Sequence, residues 1–225
     1  MRIGVLGGSF NPVHMGHIMT ARNAAAILHL ERVYFVVAAN PPHKEPESLL
    51  NAETRLMMVE LACQEDPLFF PSRMELDREG VSYTIDTVRE IVRQFGHDVH
   101  FITGQDAMED IASWKSALSL LKMVNFAVAA REGYDQSALA EFIQSALCVR
   151  YCNVKFKDMG AGREGLVKTI GVAGSSTVIN ILRTPQAPVS SSEVRRKLKV
   201  GESVKYLVPG SVERYLNENN LYRKD

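Results

Sequence analysis

The residues best suited to chemistry lie near the start of the chain. Gly7-Gly8-Ser9-Phe10-Asn11-Pro12-Val13-His14-Met15-Gly16-His17 follows a short apolar run from Arg2 to Leu6. Two adjacent glycines let backbone N–H groups approach an anion, and a helix beginning just beyond them adds the partial positive charge of its N-terminus. His14 and His17 are three residues apart, so on a helix they share one face close to that terminus. Gly16, between them, lacks a side chain that would block a ligand. A glycine turn alone is weak evidence, and a lone histidine is more often structural than catalytic. The conjunction of glycines, helix start and paired histidines behind a buried strand points to an anion-binding site. No Ser-His-Asp or Cys-His constellation asks for a side-chain nucleophile.

These residues need a scaffold, and the pattern of the chain supplies one. The apolar run before Gly7 reads as a buried strand, His14 to about Leu30 as a helix, and Arg32 to Ala39 as a second strand. Asn40-Pro41-Pro42-His43-Lys44-Glu45-Pro46 has too many prolines for a ladder or a helix and is a loop with His43 and Lys44 at its tip. The alternation continues. A helix capped by Asn51 runs through Cys63, strand-like residues span Leu68 to Leu76, and a helix capped by Thr84 ends at Gly96. Val99 to Thr103 reads as a strand, Trp114 to Lys122 as a helix, Phe126 to Ala130 as a strand and Ala138 to Leu147 as a helix. Strands alternating with helices imply an α/β, doubly wound parallel sheet that binds ligands beyond the carboxyl ends of its strands. Residues 150–183 hold β-type stretches separated by glycines, either an extra hairpin or a final strand with an insertion. Ser190 to Ser192 cap a helix from Val194 to Val200, and a last helix starts at Ser211. The division expected is an α/β domain over residues 1–187 with a small C-terminal helical appendage, 188–225, packed on it.

Composition narrows the function classes. In 225 residues, Lys plus Arg number 26 and Asp plus Glu 26, so no general basic field draws in nucleic acid or an anionic bilayer. Any anion must be caught locally. The longest clean apolar stretch, Val33 to Ala39, is far short of the roughly 18 residues a spanning helix needs. Cys63, Cys148 and Cys152 are sparse and odd in number, which fits reduced, small, buried residues and cytoplasmic residence rather than a disulfide framework.

The H-x-G-H ending of the Gly7 to His17 segment resembles the signature of the nucleotidylyltransferase superfamily. Pro41-Pro42-His43-Lys44, Ser82-Tyr83-Thr84, Gly104-Gln105-Asp106 with Trp114, and Ser190-Ser191-Ser192-Glu193-Val194-Arg195 resemble, in this order, the motifs of bacterial nicotinate-nucleotide adenylyltransferases. Asn11 stands where that pattern commonly has Asp, which keeps a side-chain oxygen but removes the charge. The resemblance implies a Rossmann-like fold and a reaction in which the phosphate of nicotinate mononucleotide attacks the α-phosphorus of ATP, giving deamido-NAD and pyrophosphate.

The same resemblance implies roles. His14, His17, Lys44 and Arg195 are the catalytic set. Gly7, Gly8, Ser9, Phe10, His14, His17, Gly104, Asp106, Ser191, Ser192 and Arg195 bind ATP, whereas Asn40, Lys44, Tyr83, Thr84, Trp114, Lys115 and Arg131 bind nicotinate mononucleotide. Arg55 is a weaker candidate, since isolated surface arginines are common. Mg²⁺ arrives with ATP and needs no carboxylate cage, so no metal ligand is assigned. The expected partners are small molecules, with no nucleic acid or membrane, and a homo-oligomer is compatible with the sequence. Two alternatives stay open: an H-x-G-H adenylyltransferase for nicotinamide mononucleotide or pantetheine phosphate, and a non-catalytic nucleotide-binding sensor.

Overall fold

The computed structural model describes residues 1–41, 49–96, 98–130, 136–151, 155–160, 162, 164–185 and 188–223. Its strands are β1 (Ile3–Gly8), β2 (Arg32–Val37), β3 (Phe69–Ser72), β4 (Val99–Gly104), β5 (Asn125–Ala130), β6 (Phe156–Asp158), β7 (Leu166–Val172) and β8 (Val178–Arg183). They are hydrogen-bonded in the order β3-β2-β1-β4-β5-β8-β7-β6. The pairs β1–β4, β4–β5 and β5–β8 are parallel. β7 runs antiparallel to β8, and β6 antiparallel to β7, so the doubly wound parallel sheet carries an antiparallel edge in the region whose arrangement the sequence leaves open. The reason is the connection: β7 and β8 are joined by a short turn through Gly174 at φ +77°, and a parallel crossover needs a dozen residues or more. Residues 150–183 thus contain both features left open by the sequence, a final parallel strand and an added hairpin.

The helices are α1 (Met15–Leu28), α2 (Ala52–Cys63), α3 (Thr84–Phe95), α4 (Gln105–Glu109), α5 (Ala117–Met123), α6 (Gln136–Arg150), α7 (Ser191–Lys199) and α8 (Gly210–Glu218). The chain divides into two compact units, one of Met1–Gly7, Thr20–Val33 and Tyr83–Pro185, the other of Gly8–Met19, Tyr34–Ser82 and Gln186–Asp225. The core of the first includes Ile3 and Val5 of β1, Ile102 of β4, Phe126 of β5 and Ile181 of β8, with Ile85, Val88 and Ile91 forming the buried stripe of α3. Buried parallel strands read as unbroken apolar runs because both faces are covered, and β5 is buried from Phe126 to Ala130. α3 stops at Gly96, at φ +84°, whose N–H returns to the Val92 carbonyl.

The second unit is built around Phe10, Phe35 and Phe69, with ring centroids 5.7 Å apart for the first pair and 5.0 Å for the second. α2 begins as its sequence predicts, with the Asn51 side chain accepting from the Thr54 N–H at 2.8 Å. α8 is tied to α2 by the Ser211 hydroxyl, which donates to the Leu61 carbonyl at 3.1 Å.

Several local expectations are corrected. Thr84 is the first residue of α3 rather than its cap, a place taken by Tyr83 in extended conformation without a side-chain hydrogen bond. Trp114 is not helical: it is extended after a 3₁₀ turn at Ile111–Ser113, and Ser116 at φ +56° delays α5 to Ala117. The strand expected over Leu68 to Leu76 shrinks to Phe69–Ser72, because Pro71 lacks a ladder donor and confines it to the sheet edge. Cys63 is buried, with its thiol pushed up to about 12 chiefly by burial, but Cys148 is exposed on α6; Cys152 lies outside the described residues. Among the described residues no helix is long and apolar enough to cross a membrane.

Replacing Asn51 with Ala removes the side-chain acceptor at the start of α2. It should lower stability by about 1 kcal/mol and the melting temperature by roughly 2–4 °C, read by thermal denaturation.

Candidate active site

Beyond β1 the chain turns through Gly8, Ser9 and Phe10. A Cβ on Gly8 would lie 3.1 Å from the Phe10 ring, so the loop backbone passes directly over that ring. Phe10 sits at φ +45° and is 1% exposed, with its ring edge-on to His17 at 5.0 Å. It therefore forms the floor of the loop.

His14 and His17 stack at a centroid distance of 3.7 Å and an interplanar angle of 34°. The His14 backbone N–H donates to His17 Nδ1 at 3.2 Å, which makes Nε2 the protonated nitrogen of a neutral His17 ring. Burial pushes the His14 imidazole down to about 4, and burial together with neighbouring His14 lowers His17 well below its ordinary value. Two imidazolium charges at about 4 Å would repel by about 4 kcal/mol in partly buried surroundings, so the stack cannot hold both protons near neutrality. The pair is a set of neutral donors, not a cationic patch. His14 Nδ1 has no hydrogen-bond partner among the described residues.

Gly16 serves a different purpose from the one its position in the sequence suggests. A Cβ there would lie 2.9 Å from His14 Cε1 and Nδ1, so the glycine makes room for the histidine ring itself. The positive end of α1 is likewise partly occupied from within, because the Met15 N–H donates to the Leu207 carbonyl at 2.8 Å.

Arg55 is 1% exposed, which rules out the isolated surface arginine. Its Nη1 donates to the carbonyls of Ser9 at 2.8 Å and Ala38 at 2.7 Å, Nη2 to Ala39 at 3.2 Å, and Nε to Leu50 at 2.9 Å. The side chain binds loop backbone instead of ligand. Asn11 Oδ1 accepts from the Leu50 N–H at 3.2 Å and from the Tyr222 hydroxyl at 2.5 Å. The side-chain oxygen that Asn11 keeps in place of a carboxylate thus joins loops.

Arg195, in the first turns of α7, donates through Nη1 to the Asn11 carbonyl at 2.8 Å and through Nη2 to the Ser192 hydroxyl at 3.2 Å. Ser191 donates to the Pro12 carbonyl at 3.0 Å. The neighbouring cations behave differently: Arg196 pairs with Glu193 and Glu202, and Lys197 with Glu202. A merely solvated basic face would not single out one member. Of these three α7 cations, Arg195 is the one turned onto the loop that carries the histidines.

Of the remaining predicted residues in this unit, Asn40 holds the 80–82 turn, its amide donating to the Gly80 carbonyl at 3.1 Å and its carbonyl accepting from the Ser82 N–H at 3.1 Å. Gly7, Tyr83, Thr84, Gly104, Asp106, Trp114 and Lys115 belong to the first unit. There the half-buried Trp114 meets Phe101 edge-on at 6.2 Å, and Lys115 Nζ lies 3.9 Å over the Tyr83 ring and 3.7 Å from Asp86. The N–H groups of Asp86 and Thr87 turn onto the Tyr83 carbonyl at the start of α3. Gly104 and Asp106 are exposed at the carboxyl end of β4, beside β1, where the strand order reverses. Lys44 and Arg131 lie outside the described residues. The structural parts of Asn11, Leu207 and Tyr222 are not set by spacing: Asn11 is visible as a departure within a motif, and Leu207 and Tyr222, in C-terminal segments that share the family resemblance, act from nearly 200 residues away or more.

A glycine turn, two neutral histidines and a loop-held arginine behind a parallel strand form the apparatus of a nucleotide-binding α/β protein. The sequence profile of the cytidylyltransferase-like family matches residues 5–197, from β1 through Arg195. A "probable nicotinate-nucleotide adenylyltransferase" from Thermus thermophilus is 40% identical over 224 residues, covering 99% of this chain and 100% of the relative. One from a Thermoanaerobacter species is 37% identical, over 100% of this chain and 96% of its own length. The chain belongs to the cytidylyltransferase-like family and, within it, to the nicotinate-nucleotide adenylyltransferases. The fold agrees with that of the Plasmodium falciparum nicotinic acid mononucleotide adenylyltransferase complexed with NaAD, at a TM-score of 0.69 and 18% identity, over 98% of this chain and 97% of that one.

Two predictions follow from this geometry. Arg55→Met leaves four backbone carbonyls without their donors and should destabilise by about 3 kcal/mol or more, with Arg55→Lys intermediate, measured by urea denaturation. For His14, the folded form resists a proton that the unfolded chain accepts near 6.5. Its contribution to stability should be complete above pH 6.5, decline as pH falls towards about 4, and change no further below, with an NMR titration midpoint near the lower value.

Proposed function

We propose that the chain joins nicotinate mononucleotide to the AMP part of ATP, giving deamido-NAD and pyrophosphate, and that it does so in the cytoplasm. The observation that carries this reading is the His14-Gly16-His17 arrangement, two neutral donors beside a loop-bound arginine, in a chain whose full-length relatives bear the corresponding name.

An oxygen of the mononucleotide phosphate bonds to the α-phosphorus while the bond from that phosphorus to the bridging oxygen of pyrophosphate breaks. A phosphate monoester is already largely ionised near pH 7, so no general base is required. The work left to the protein is alignment and stabilisation of charge that spreads onto the α-phosphoryl group and the departing pyrophosphate. His17 offers Nε2–H to that charge without bringing a positive charge of its own, and His14 adds a second imidazole. Arg195, with Ser191 and Ser192 at the start of α7, supplies the cation for the leaving phosphates. Backbone N–H groups of Gly7, Gly8, Ser9 and Phe10 receive the nucleotide, and Gly104 and Asp106 bind the adenosine part. On the acceptor side Thr84 and the first turn of α3 take the nicotinate carboxylate, Trp114 stacks on the pyridine, and Tyr83, Lys115 and Asn40 are further acceptor-binding residues. Lys44 and Arg131 complete the set as phosphate and acceptor contacts.

Mg²⁺ enters as part of Mg-ATP. An ion of this kind keeps most of its waters and is carried on the substrate phosphates.

Pyrophosphate release from Mg-ATP with a panel of mononucleotide acceptors tests the assignment. Nicotinate mononucleotide should give the highest kcat/KM, and equal or better turnover with the amide mononucleotide or pantetheine phosphate would reject it. In the same assay His17→Ala should fold and lose roughly 100-fold or more in kcat, the effect of removing one preorganised donor.

A further inference from the structure

Beyond the end of α8 the chain makes a contact that the proposed chemistry does not use directly. Tyr222 sits at φ +61°, and Asn220 two residues earlier at φ +49°, a left-handed conformation that costs a bulky side chain of order 1 kcal/mol or more. Such a segment persists only where its contacts over-determine it. The main contact is the Tyr222 hydroxyl on Asn11 Oδ1 at 2.5 Å. Since the Leu50 N–H donates to the same Oδ1, that oxygen is an acceptor and the phenol must be the donor. Burial raises the Tyr222 hydroxyl above its ordinary range, so it keeps its proton throughout the working pH. The guanidinium groups of Arg195 and Arg55 both lie close enough to act on it electrostatically.

Asn11 carries a second bond, from its backbone carbonyl to Arg195 Nη1 at 2.8 Å. The phenol, the Asn11 side chain, the Asn11 carbonyl and the Arg195 guanidinium therefore form one chain of contacts within the second unit. We infer that Tyr222 is a positioning residue for the phosphate site: its hydroxyl fixes Asn11, and Asn11 in turn aims Arg195 at the leaving phosphates. The inference rests on the proposed adenylyl transfer only for the identity of the ligand held by Arg195.

A double-mutant cycle on the full chain tests it, reading the dissociation constant of α,β-methylene-ATP by calorimetry for wild type, Tyr222→Phe, Arg195→Ala and the double variant. Phe keeps the ring, and the Leu50 N–H still satisfies Asn11 Oδ1, so no buried acceptor is orphaned; thermal melts verify folding. Tyr222→Phe should weaken binding by about threefold to tenfold in the wild-type background, and by less than roughly twofold once Arg195 is Ala, because the tyrosine acts through the arginine. An equal loss in both backgrounds, or no loss in either, overturns the inference. The ligand is an ATP analogue alone, so an acceptor panel that favours another mononucleotide would remove the proposed substrate while the cycle still decides the role of Tyr222.

Discussion

A buried guanidinium must find acceptors for its donors, and this requirement organises the second unit. Arg55, enclosed in α2, takes them from the carbonyls of Ser9, Ala38, Ala39 and Leu50. These belong to the segment after β1, the segment after β2 and the entry to α2. Loops at the ends of strands have few backbone partners of their own, so their conformation is normally their least determined property. Here one planar group with a fixed fork of N–H bonds sets several of them together. The turn at Ser9 is therefore tied directly to the packing of α2.

On that fixed loop the histidines are kept uncharged by enclosure. A surface pair would titrate near neutrality and present a variable charge to polyanionic ligands. The His14–His17 stack, closed beneath by Phe10 and made possible by the missing side chain at Gly16, presents directional donors whose state does not vary over the working range. Beside the histidine loop, α7 supplies a positive charge. There the acidic residues Glu193 and Glu202 hold Arg196 and Lys197, and Arg195 points the other way. Donor geometry and net charge thus reside on different elements, which lets each be fixed by its own contacts.

The alternating strands and helices were legible in the sequence because parallel strands bury both faces and show as unbroken apolar runs, as in β4 and β5. The boundaries failed where a single residue overrode the pattern. Ser116 in a left-handed conformation cut α5 short, and Pro71 shortened β3. The antiparallel edge was undecidable from pattern, since both pairings produce the same alternation, and only the turn at Gly174 distinguishes them. In the site, the H-x-G-H segment stood out because its parts are adjacent. The purpose of Gly16 did not, since the group it accommodates is the neighbouring ring. Arg55 was ambiguous for a related reason: burial of an arginine depends on carbonyls from three loops, and carbonyls are the same in every sequence.

The contact between Asn11 and Tyr222 also bears on how the protein comes into being. The second unit draws on residues 8–19, 34–82 and 186–225, so its early segments emerge long before the partners that complete it. At about 5–20 residues per second, a ribosome needs on the order of ten seconds or more to pass from the one to the other. Throughout that interval the glycine loop exists without Arg195, without the Leu207 carbonyl on α1 and without the phenol. A nascent chain cannot hold nucleotide in the finished geometry until Arg195 and Tyr222 have both emerged.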